Sequence, residues 1–415
     1  MTRRGTIVLP LCIFFAMLSN VVQSQFDAGK EHSISHEIPR NSAQYENIWA
    51  TIDSVQRSEK SQLSILYIGG SHVQAGWIGH FMREQLSLWM SEAQWSRGLM
   101  LPYRLAEKNT PTHFRTEMSG SWSGQSCANR SWISNSYDLG CGTGITVQTN
   151  SGRASIQHVA FLPDSTKMMA NSFDIWTNAN RNEISLDSTR GTAQITELES
   201  GIGWRMELLS PVDTFRLNFI AAESRSTPLV YDGVYAQLDA TTQIVVNEWG
   251  HNGLHIEDMR NCHGFKALVK RMKPDLVIIG IGLNDAIKEK GFRIEQFARD
   301  YTWMVDGLQE VLPEAAFLLM SNTPVNESKP FVSKHSDEIE TFLRAYSKSA
   351  QFGFFDLGSA IGGPENIDAW MLKGWMKSDG IHFHSAGYQQ IAYRILGGIE
   401  QAFKNEKNTR NSGER

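Results

Sequence analysis

Five short apolar runs, at 63–68, 244–246, 276–281, 316–320 and 352–357, constrain this chain more than any other feature. Each is followed by a stretch whose apolar residues recur at helical spacing, at 74–89, 254–272, 294–311, 339–350 and 386–403. A strand that is apolar along its whole length has both faces buried. Alternation of such strands with helices builds a parallel sheet covered on both sides. The expected fold class is α/β, a flavodoxin-like three-layer α/β/α unit. A looser helical spacing at 43–58, carried by Ala43, Ile48, Ile52 and Val55, precedes the first strand.

Residues 115–240 break this pattern. They are rich in Ser, Thr, Asn and Gly, and short alternating runs recur at 145–147, 156–161, 173–176, 193–198, 204–208, 215–220 and 234–238. Short strands with polar turns predict an inserted β-sandwich, jelly-roll-like, between two parts of the α/β unit at 43–114 and 241–405. Residues 25–42 read as a polar linker and 406–415 as a disordered tail. With 41% hydrophobic and 20% charged residues, the 415-residue chain has material for such cores. A net charge of −5 argues against a general nucleic-acid binder, which needs a basic surface to neutralise phosphates.

Residues 1–24 have the form of a secretory signal peptide. Arg3 and Arg4 precede an apolar run at 6–18, and Val22, Gln23 and Ser24 offer a small-residue cleavage site. The run is short for a bilayer span, which takes about 20 residues. The expected location is therefore periplasmic or secreted, with no stable membrane span after cleavage. In an oxidising compartment the spacing of Cys127 and Cys141 permits a short disulfide loop without demanding one. Cys262 reads as a small buried apolar residue.

Ligands of open parallel sheets bind beyond the carboxyl ends of the strands. Three segments at such ends carry chemistry. In Gly69-Gly70-Ser71-His72 the glycines allow a tight turn that presents the Ser71 hydroxyl, although a serine here also suits a helix cap. In Gly282-Leu283-Asn284-Asp285 the Asn284 amide can face a developing oxyanion, or simply form a turn. In Asp379-Gly380-Ile381-His382 a carboxylate three residues from an imidazole can accept its Nδ1–H and leave Nε2 free as a base. His384 is a rival base. His251, His255, Asp258 and His263 lack the spacing of a metal site, and His251 and His255 are expected to line the site near Gly253. No metal and no cofactor are expected.

Together these segments resemble the SGNH (GDSL-type) serine hydrolases, whose sequence blocks carry Ser, Gly, Asn and His. The serine block is similar to Ile68–Ala75 (I-G-G-S-H-V-Q-A), the glycine block to Gly250-His251-Asn252-Gly253, the asparagine block to Gly280–Asp285 (G-I-G-L-N-D), and the histidine block to Asp379–Tyr388 (D-G-I-H-F-H-S-A-G-Y). The resemblance spans about 43–110 and about 240–405. It implies Ser71 as nucleophile, His382 as general base and Asp379 as its orienter. The implied oxyanion hole is the N–H of Ser71 and of Gly253 with the Asn284 side chain. One departure is Gly70, where the family usually has Asp. His72 is read as structural or wall-forming.

The motif S-H-V-Q-A-G and the segment Arg97–Tyr103 (R-G-L-M-L-P-Y) are similar to a subgroup of bacterial periplasmic esterases that act on O-acetylated peptidoglycan. The resemblance implies removal of O-acetyl groups from an O-acylated glycan. Acetyltransfer on the same scaffold and a glycan-binding protein with a weakened site are the alternatives. In a carbohydrate-binding insert, Trp122, Trp132, Trp176 and Trp204 would either stack on sugars or fill the core.

Overall fold

A computed structural model describes residues 36–39, 42–59, 62–91, 93–128, 142–162, 164–187, 192–199, 201–239, 243–325 and 330–412. Residues 1–24, read above as a signal peptide, Cys141 and Trp132 lie outside these residues. Six strands form the parallel sheet: β1 (Gln62–Gly69), β2 (Gln94–Ser96), β3 (Gln243–Gly250), β4 (Leu276–Gly280), β5 (Ala316–Met320) and β6 (Gly353–Phe355). Their spatial order is β6-β5-β4-β1-β3-β2, and a two-residue strand, His36–Glu37, adds antiparallel to β6.

The pleat explains the unbroken apolar runs. Leu63, Ile65 and Tyr67 of β1 face one hydrophobic cluster, which holds the helices Ala43–Gln56, Trp77–Trp89 and Ser385–Ser412. Leu66 and Ile68 face the other, which holds Phe265–Met272, Ile294–Val311 and Pro330–Ala350. These are the three layers that the sequence pattern predicts.

Between β2 and β3 lie two antiparallel sheets. One has four strands, in the order Ile184–Asp187, Thr214–Ile220, Arg153–Ala160, Phe114–Ser119. The other has seven, centred on Ala170–Thr177 and Leu229–Gln237. Their inner faces meet through aromatic packing: the Phe173 and Phe215 rings are 4.5 Å apart, and Phe219 stands edge-on to Tyr231 at 6.0 Å. The strand Gly98–Met100 pairs with Leu229–Gln237, so the chain changes sheets at Arg97, ahead of the expected boundary at 115. Gly98 makes this possible: at φ +73° a Cβ would sit 2.2 Å from Asn247 Oδ1, and that oxygen accepts the Leu99 N–H at 3.0 Å.

Three elements differ from the sequence pattern. The stretch 254–272 is a 3-10 helix (Ile256–Asn261) followed by Phe265–Met272, and 74–89 is divided at Gly76 (φ +75°). The stretch 406–415, expected as a disordered tail, is helical as far as Ser412, with Arg410 paired to Glu406 across one turn. Polar i,i+4 pairs sustain a helix that an apolar pattern does not reveal.

The Arg83–Glu248 pair holds the helix Trp77–Trp89 on the sheet. Both side chains are buried, 3.4 Å apart, and Glu248 also accepts the Gly79 N–H at 3.1 Å. Burial raises the Glu248 pKa, and Arg83 and Arg97 oppose it. Removing one member of a buried pair typically costs about 3–5 kcal/mol. Arg83→Met is therefore expected to lower the unfolding free energy, read from urea titration, by an amount of that order, and an unchanged urea midpoint would contradict the role given to the pair.

Candidate active site

Gly250, Gly69 and Gly280 are register neighbours at the carboxyl ends of β3, β1 and β4. A Cβ on Gly250 would sit 2.4 Å from the Gln74 backbone nitrogen, and one on Gly69 would sit 2.5 Å from Val73. Only the absence of side chains at Gly250 and Gly69 lets the short helix Ser71–Gln74 rest on these two strand ends. The loops that follow the three glycines carry Ser71, Gly253 and Asn284.

Ser71 Oγ lies 3.0 Å from His382 Nε2, and His382 Nδ1 lies 2.8 Å from Asp379 Oδ2. A carboxylate only accepts, so Nδ1 carries the ring proton and Nε2 accepts from the Ser71 hydroxyl. The other Asp379 oxygen accepts the N–H groups of Ile381 and His382, both at 2.9 Å. Burial pushes the Asp379 pKa up, but these N–H bonds and the His382 ring outweigh it and hold the carboxyl down at about 2. Asp379 thus stays charged at neutral pH. The rival His384 is exposed, with its backbone N–H on Trp375 O. His72 packs 5.5 Å from the His382 ring and hydrogen-bonds Tyr388 through Nδ1, which makes it wall.

Gly253 has φ +77°, a left-handed conformation that favours glycine, and nothing lies within 4 Å of where its Cβ would be. Asn284 Nδ2 donates to Leu254 O at 3.0 Å, which fixes the far side of this turn. Asp285, which sequence reasoning left as a turn residue, accepts the Ile256 N–H at 3.1 Å and holds the same loop. Burial raises its pKa to about 6, against the pull of His255 and Lys288. The Asn284 amide also explains Gly70: a Cβ there would stand 2.9 Å from Nδ2. The missing acidic residue of the serine block is thus a space that the amide uses. Together, these groups can take a proton from a hydroxyl and hold charge on a carbonyl oxygen, the two demands of acyl transfer.

Two site expectations are corrected. His251 does not line the site. It is buried, with Nε2 3.1 Å from Thr143 O and Nδ1 3.3 Å from Ser126 Oγ, and burial lowers its pKa to about 3. His255 caps the 3-10 helix together with Asp258. The tryptophans are packed as well: Trp176 is buried, Trp122 stands edge-on to Phe219 at 5.6 Å, and Trp204 Nε1 donates to Ala179 O. Their sequence spacing carries no sign of which face of a strand they occupy.

The fold and the strand-end loops resemble those of the SGNH-type ester hydrolases. Residues 221–390 match the model of the GDSL-like lipase/acylhydrolase family, so the chain carries a domain of that kind. The matched stretch includes Gly253, Asn284, Asp379 and His382, and Ser71 precedes it. A solved peptidoglycan O-acetylesterase superposes with a TM-score of 0.70 at 17% identity, over 88% of this chain and 98% of its own. A GDSL-like lipase from Parabacteroides merdae gives a TM-score of 0.32 at 19% identity, over 38% of this chain and 72% of its own. A carbohydrate esterase of family 3 from Talaromyces cellulolyticus gives 0.31 at 21%, with the same two coverages. No curated protein matches.

A methyl group at Gly70 displaces the Asn284 amide. Gly70→Ala is expected to lower kcat for ester hydrolysis about tenfold, a barrier change of roughly 1.4 kcal/mol, with an unchanged melting temperature. Full activity in Gly70→Ala would show that the amide does not need this space.

Proposed function

We propose that this chain is an exported serine esterase that removes O-acetyl groups from a polysaccharide, with cell-wall peptidoglycan as the preferred substrate. The observation that carries the mechanism is the chain of contacts from Ser71 Oγ to His382 Nε2 at 3.0 Å and from His382 Nδ1 to Asp379 Oδ2 at 2.8 Å. The substrate class is supported by the fold shared with almost the whole of a peptidoglycan O-acetylesterase, and export by the signal-like segment at 1–24.

In this reading Ser71 Oγ attacks the acetyl carbonyl carbon as its proton passes to His382 Nε2. The oxyanion is held by the N–H groups of Ser71 and Gly253 and by the Asn284 amide. The C–O bond to the sugar breaks, and His382 returns the proton to the leaving sugar oxygen. A water then gives its proton to His382 and attacks the acetyl-serine, releasing acetate and restoring Ser71. Asp379 stays ionised throughout and stabilises the imidazolium.

Steady-state hydrolysis of p-nitrophenyl acetate tests the mechanism, and acetate release from O-acetylated peptidoglycan and acetylated xylan tests the substrate. Ser71→Ala is expected to lose at least about 10⁴-fold in kcat, and peptidoglycan is expected to release acetate faster than xylan. Undiminished turnover by Ser71→Ala, or acetate from xylan alone, would overturn the respective part.

A further inference from the structure

We propose that Gln74 is the positioning residue that sets the Gly253 turn against Ser71. It ends the four-residue helix that begins with the serine, and its side chain is buried. Its Oε1 accepts the Asn252 N–H at 2.6 Å, and its Nε2 donates to Asn109 O at 2.8 Å. Both ends of the amide are thus engaged, which fixes its orientation and aims the acceptor at the turn.

The turn needs such a tie. A glycine at φ +77° with open space around it has wide conformational freedom. On one side Asn284 holds Leu254 O and Asp285 holds Ile256 N. On the other side, among the described residues, Gln74 alone reaches from the serine helix to the residue just before Gly253. Among the described residues the Gly253 N–H itself has no hydrogen-bond partner, so this donor remains available while its neighbours are clamped. One turn of helix then carries both the nucleophile and the brace for an oxyanion donor. A donor misplaced by a fraction of an ångström loses most of its value in the transition state. The inference rests on the roles proposed above for Ser71 and Gly253.

The test compares wild type, Gln74→Leu and Gln74→Glu in p-nitrophenyl acetate kinetics and in amide hydrogen exchange of a peptide covering 251–254. Gln74→Leu is expected to exchange faster in that peptide and to lose at least about tenfold in kcat, with KM within about twofold. Gln74→Glu keeps an acceptor for the Asn252 N–H but loses the donor to Asn109 O, so it is expected to exchange more slowly and turn over faster than Gln74→Leu without reaching wild type. If Gln74→Leu does not fold, Gln74→Asn, one methylene too short to reach, must show the same losses. Faster exchange with wild-type kcat, a loss confined to KM, or a Gln74→Glu enzyme no better than Gln74→Leu would overturn the positioning role. A wild type without Ser71-dependent turnover would instead overturn the proposed function and the catalytic part of this inference, while the exchange data would still decide whether Gln74 holds the turn.

Discussion

Close approach of the serine helix to two neighbouring strand ends sets the geometry of this protein. Gly250, Gly69 and Gly280 lie in one row, and the helix bearing Ser71 rests on the first two with clearances that no Cβ would survive. Each glycine releases its strand into a loop that reaches the same spot. The strands themselves are fixed by an eight-residue parallel register between β1 and β3 and by a five-residue one between β1 and β4. The relative placement of serine, glycine and asparagine is therefore a property of the sheet, and the loops add only the final turn.

The antiparallel sheets between β2 and β3 bear on the same strand ends. Trp249 Nε1 donates to Gly142 O at 3.1 Å, Tyr103 donates to Gly250 O at 2.6 Å, and His251 binds Ser126 and Thr143. A neutral, buried His251 satisfies one donor and one acceptor from two separate segments of the sandwich. The turn that follows it is thus held by the sandwich behind, by Gln74 from the serine helix and by Asn284 and Asp285 from β4. Strongly polar ties suit a loop whose central residue is a glycine, because apolar packing has no side chain there to grip.

The parallel sheet was legible because burial on both faces writes an unbroken apolar run, and the segments carrying Ser71 and Asn284 stood out because they follow such runs directly. The order of the triad could be read from the Asp379–His382 spacing, whose three-residue separation around Gly380 closes into the 2.8 Å contact. What the pattern hid were polar residues with structural work. Gln74 and Asp285 look like ordinary helix and turn positions until the loop they hold is placed beside them. Glu248 and Arg83 interrupt apolar segments and come together only through the tertiary fold. His251 misled for the same reason: a histidine next to a site glycine can face either way, and its two partners lie more than a hundred residues earlier in the chain. The tryptophans of the sandwich were ambiguous because alternation gives a strand's period without saying which face is inside.

The central claim is that Ser71 is a nucleophile activated by His382. Covalent labelling tests it most directly, with a fluorophosphonate probe followed by intact-mass and peptide mass spectrometry. The account predicts a single adduct per chain, on the peptide containing Ser71, and its loss when His382 is replaced by alanine. A folded protein that takes no adduct, or takes it on another residue, would contradict the account.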